Sequence, residues 1–179
     1  MESESEITII EQERNPYLAI EYFEKLKNKN LDIYLRVLFI LLDFLVDEQY
    51  TEQQHDFISL KVKELYSEAE LKYSNDNDFL FFSGIMIYIA EWYFGMKIEE
   101  GQTMLKKAMD ANPENIIYKW GYFSITDQRV TVNTKTKFLL SNQIMKDDLI
   151  LNWIKNKGLL GEYLLGIIQY TYEHTKVLI

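Results

Sequence analysis

Apolar residues recur every three or four positions over most of this chain, and short polar clusters interrupt them. That rhythm predicts stacked amphipathic helices. After a charged stretch at 1–14, Asn15-Pro16 reads as an N-cap with Pro at the first helical position, and Ile20, Phe23 and Leu26 give the following helix one apolar stripe. Asn28-Lys29-Asn30 ends it. Leu31 to about Val46 is nearly all apolar apart from Asp32, Arg36 and Asp43, so this helix is expected at the centre of the core, buried on most sides. Thr51 and Gln54 have the spacing of a capping box. The helix they open runs to about Tyr73, with Ile58, Val62, Leu65 and Ala69 on its inner face. A polar turn at 74–78 leads into Phe79 to Phe94, closed by Gly95 as a natural C-cap.

From Ile98 the pattern gains a second kind of signal. Gly101, Met104, Leu105 and Ala108 alternate small and bulky residues on one helix face, and Asn112-Pro113 ends that helix and begins the next. Small residues allow close helix approach. The segment 98–123 resembles part of a tetratricopeptide-type helical hairpin, carried by Gly101, Leu105, Ala108 and Pro113. Gly84, Tyr88, Tyr118, Trp120 and Gly121 fall near the repeat's other positions but out of strict register, and no period of about 34 residues crosses the chain. The resemblance implies antiparallel helices that hold a peptide or protein partner.

Beyond it, Arg129 to Thr136 alternates β-branched residues and is either an extended loop or a short β-hairpin. Helical stretches follow around 138–145, 149–155 and 159–171, with Gly158 separating the last two. No low-complexity linker divides the chain. The expected fold is all-α: a single domain of stacked antiparallel helices over 15–179, preceded by a mobile acidic arm at 1–14 in which Ile7, Ile9 and Ile10 are available as anchors.

Charge narrows the choice of partners. A formal charge of −9 repels nucleic acid and anionic membrane at long range and favours a basic protein. With no cysteine, disulfides and thiolate metal sites are excluded. Met1 to Glu6 is acidic, unlike a signal peptide, and the uncharged run from Phe79 to Ala90 falls short of the roughly 18 residues of a membrane span. The expected location is cytoplasmic.

Candidate chemistry is sparse. His55 and His174 have no ligand partner at helical spacing, and there is neither a phosphate-binding glycine loop nor a nucleophile elbow. Asn75-Asp76-Asn77-Asp78 superficially suggests a calcium loop, but it lacks the central Gly and the closing Glu, and helix capping accounts for it better. Neither a cofactor nor an enzymatic activity is expected.

What is unusual is the surface. Acids crowd the segment 43–78, where Asp47, Glu48, Glu52, Asp56, Glu64 and Glu68 are candidate contacts for a cationic surface. Among 13 tyrosines, 10 phenylalanines and 3 tryptophans, Trp92, Tyr93, Tyr118, Trp120 and Tyr122 bracket the hairpin and are candidate apolar anchors. A small, acidic, cysteine-free, Tyr-rich chain without chemistry of its own resembles, in kind, the helical immunity proteins of bacterial contact-dependent growth inhibition. That resemblance implies a protein that occludes the active site of a toxin, such as a basic nuclease domain. The alternative is a tetratricopeptide-like adaptor that binds its partner in a helical groove.

Overall fold

The computed structural model of the protein describes residues 2–47, 49–125 and 134–176. They form ten helices: α1 (Glu2–Glu13), α2 (Pro16–Lys25), α3 (Leu31–Asp47), α4 (Glu52–Tyr73), α5 (Asn77–Phe94), α6 (Ile98–Ala111), α7 (Ile116–Ile125), α8 (Thr134–Ile144), α9 (Asp148–Lys155) and α10 (Gly158–Lys176). The caps read from sequence are made. Asn15 Oδ1 accepts from the Tyr17 and Leu18 amides, Thr51 and Gln54 complete their reciprocal box, and Asp76 accepts from Asp78 and Phe79. The acidic turn therefore serves as a cap.

The apolar α3 is the hub, packed by α2, α4, α5 and α10. Tyr34, Leu35, Val37, Leu38, Ile40 and Leu41 are fully enclosed. The most extensive helix pair is α5 with α6. A Cβ on Gly84 would lie 2.9 Å from the Gly101 carbonyl oxygen, and one on Gly101 would lie 2.9 Å from the Gly84 carbonyl. The two backbones cross where neither residue has a side chain, which is what the small-residue pattern at 101 anticipates. Gly121 of α7 completes the layer against Phe81 and Leu105.

Residues 2–13, expected as a mobile arm, form a docked helix instead. Ile7 and Ile10 are buried, whereas Ile9 faces out. The decisive contact is Glu11, whose carboxylate receives Nε (2.8 Å) and Nη2 of Arg36 and the Leu159 amide at the start of α10 (3.3 Å). Glu11 and Arg36 are both more than nine-tenths buried. A second correction concerns the stretch at 129–136. Residues 129–133 lie outside those described, and Thr134 to Thr136 form the first turn of α8, where threonine is tolerated because side-chain crowding against a preceding turn is absent.

Candidate protein interface at the α3–α4 corner

The sequence-derived contacts divide sharply on burial. Trp120 is fully enclosed, its Nε1–H donating to Ser141 Oγ at 2.9 Å. Tyr118 is buried in the layer between α5 and α7, and its hydroxyl donates to Asp78 at 2.7 Å. Burial, then the bond to Asp78, raises its phenol above the ordinary range. Tyr93 is buried as well and donates to the Leu45 carbonyl at 3.1 Å. These three hold the core together and are corrected as surface anchors. Tyr122 is half-buried beside Phe123. Trp92 alone of the five stands well out, 57% exposed.

The acids divide too. Glu64 pairs with Lys61 at 3.0 Å, and that lysine also reaches Glu24. Glu68 pairs with Lys72 at 2.7 Å and accepts the Tyr34 hydroxyl. Those two bonds hold the Glu68 carboxyl below the ordinary range, the lysine bond contributing most. At the start of α4 the situation is different. Glu52 has no cation at salt-bridge distance among the described residues, and Asp56 has only the His55 imidazole, Nδ1 to Oδ1 3.1 Å. Asp47 ends α3 but its side chain, like the whole of Glu48, is outside the described part.

These open acids and Trp92 share one corner. α5 bends at Ala90 (φ −153°, ψ 56°), and Trp92 and Tyr93 lie beyond the bend. Trp92 leans on Tyr93 with ring centres 5.5 Å apart, Tyr93 on His55 (5.7 Å), His55 on Tyr50 (5.4 Å) and Tyr50 on Phe44 (5.9 Å). Tyr50 and Tyr93 both donate to the Leu45 carbonyl near the C-terminus of α3. The chain of rings is thus pinned from below, which leaves the Trp92 face supported and Glu52 and Asp56 beside its base. Such an arrangement offers area at low entropy cost and a negative field. It offers no evident nucleophile.

Elsewhere, a cavity of about 670 Å³ lies between α1, α3 and α10 and is lined by Glu11, Arg14, Asp32, Arg36, Lys155 and Glu162. Its charges are of both signs, and several are already committed: Arg36 to Glu11 and Asp32, and Arg14 to Asp43. Among the described residues no group of three His, Asp or Glu side chains is placed to hold a metal ion, and no helix is long and apolar enough to cross a membrane.

Sequence reasoning passed over Phe57 and Leu60, which are 41% and 55% exposed on α4. The signal was present, because both fall off the Ile58–Val62–Leu65–Ala69 stripe that faces inward. Comparison with protein-family models, curated proteins and solved structures finds no match.

Proposed function

We propose that this chain is an immunity protein that neutralises a bacterial toxin, a basic nuclease domain, by covering its active site. The supporting observation is the α3–α4 corner: an exposed tryptophan on a braced ring stack, with Glu52 and Asp56 unopposed by lysine, on a chain of formal charge −9. A nuclease is cationic where it binds phosphate, so an acidic surface competes for the same ground. The acids steer and rim the contact, and Trp92 anchors it. The protein partner is basic, and the setting is the cytoplasm of the cell that must be protected.

The test is rescue. Basic nuclease domains encoded in the neighbourhood of the gene are to be sought and each expressed with and without the chain, and growth followed. Growth is expected to be restored, and the purified chain is expected to block cleavage of nucleic acid, with association slowing as salt rises over a Debye length of about 8 Å at physiological ionic strength. Undiminished killing and cleavage at excess chain would overturn the reading. The adaptor reading, with a peptide held in a helical groove, would then lead.

A further inference from the structure

The exposed apolar residues of the N-terminal half are not scattered. Ile9 of α1 (55% exposed) and Leu18 of α2 (37%) line one shallow groove with Tyr22. Next to Leu18 in the chain, Tyr17 stacks on Phe57 of α4, centroids 6.0 Å apart and planes within 11°. Phe57 is followed one turn later by Leu60. The exposed five, Ile9, Leu18, Tyr17, Phe57 and Leu60, thus lie on α1, α2 and α4, joined by the groove between Ile9 and Leu18, by the consecutive positions of Tyr17 and Leu18 on α2, and by the Tyr17–Phe57 stack. Isolated exposed apolar side chains need no explanation, but a contiguous patch with a polar rim marks a protein contact.

The rim has a sign. At the groove end, Glu6 and Glu13 hold no cation at salt-bridge distance among the described residues, while Lys25 is taken by Glu21 at 2.7 Å. At the other end, Asp56 precedes Phe57, and Lys61 is shared by Glu24 and Glu64. Among the described residues Lys63, on α4, and Lys27, just past the end of α2, have no acid at salt-bridge distance. An apolar floor bordered by surplus carboxylates matches an amphipathic helix whose apolar side is flanked by Lys or Arg.

We infer that the band Ile9–Leu18–Tyr17–Phe57–Leu60 is a docking face for a basic amphipathic helix of a protein partner. It meets the α3–α4 corner at Asp56 and so deepens the toxin-neutralising reading, on which it rests only for the partner's identity. The helix lays its apolar side along Phe57 and Leu60, and its cations meet Glu13 and Asp56. Docking here leaves the fold unchanged, since each of the five side chains is already at least a third exposed.

The experiment uses a short Leu/Lys amphipathic helical peptide as probe, a Leu/Glu peptide of the same pattern as control, and the intact chain. Amide shifts in heteronuclear spectra are expected at Ile9, Tyr17, Leu18, Phe57 and Leu60 with the Leu/Lys peptide and not with the Leu/Glu peptide. Ile9→Ser with Leu60→Ser, both neutral changes at exposed sites, should weaken the Leu/Lys peptide about tenfold or more, the scale of a lost anchor. Glu13→Lys with Asp56→Lys should weaken it too while raising affinity for the Leu/Glu peptide, which loss of folding would not do. Equal affinity of the double Ser variant, or shifts confined to another face, would overturn the inference. So would concentration-dependent self-association abolished by Leu60→Ser, which would assign the band to a second copy of this chain. A peptide that docks as described, with no rescue from any toxin, would leave the docking face standing and remove only the toxin reading.

Discussion

Two glycines in helices answer opposite questions. Gly101 lies where a Cβ would meet the Gly84 carbonyl oxygen at 2.9 Å, a backbone atom that cannot swing away. Ala would gain about 1 kcal/mol of helix propensity, but forcing α5 and α6 apart costs about 1–3 kcal/mol, so Gly101→Ala should lower the urea midpoint. Gly166 has nothing within 4 Å of its Cβ position and a helical backbone. Gly166→Ala should therefore raise stability by about 0.4–1 kcal/mol in the same titration. The tryptophans make a similar pair. Trp92→Phe should remove the most acrylamide-accessible part of the fluorescence, leaving that of half-buried Trp153 and enclosed Trp120, with a change in unfolding free energy within about 0.5 kcal/mol, because the ring is mostly in water. Trp120→Ala should cost about 3–5 kcal/mol, since it empties a closed site and leaves Ser141 without its donor.

Among the elements, α1 shows how much hangs on one contact. Its buried apolar contribution is small, Ile7 and Ile10, and its hold on α3 and α10 runs through Glu11. Replacing Glu11 by Ala leaves the buried Arg36 guanidinium with Asp32, at 3.7 Å, as its remaining carboxylate and the Thr8 hydroxyl at 3.4 Å, a loss of about 3–5 kcal/mol for a broken buried pair. Hydrogen exchange of residues 6–13 should rise with it. Exchange in α1 already at the open-chain rate in the unmodified protein would contradict the docked helix. α4 carries the opposite lesson about charge. Glu68 is bound to both Lys72 and Tyr34, so reversing it would perturb the α3–α4 contact as well as the surface. Charge reversals intended to probe binding belong at Glu52 and Asp56.

For the whole molecule, tyrosine burial sets the alkaline limit. Burial first, then the neighbouring Glu70 for Tyr66 and the Asp78 bond for Tyr118, raise both phenols above the ordinary range. In the unfolded chain they ionise near pH 10. Above that pH the unfolded state holds fewer protons than the native one, so the stability these groups contribute is complete below about pH 10 and falls as pH rises through that value. Urea titrations at rising alkaline pH should show this decline, and Tyr118→Phe should shrink it. A decline that is unchanged in Tyr118→Phe would mean that this phenol is not protected from ionisation by the fold.

Local chemistry was enough to determine the helices other than α1 and the first turn of α8. Asn15, Thr51, Asp76 and Gly95 act within a turn of themselves, and the apolar stripe of α4 needs only its own period to show which side faces in. The close α5–α6 crossing was visible at Gly101 for the same reason: a missing side chain matters wherever the neighbour comes from. What no local pattern could decide was the fate of single polar and aromatic groups. Glu11 in a charged N-terminal stretch reads as solvated until Arg36 and the α10 amide arrive from 25 and 148 residues away. Tyr93, Tyr118 and Trp120 read as anchors equal to Trp92, and only the packing of α3, α5, α7 and α8 separates the three enclosed rings from the one in water. The exposed band likewise needs α1, α2 and α4 side by side. Secondary structure follows from neighbours in sequence, whereas burial and surface continuity follow from neighbours in space.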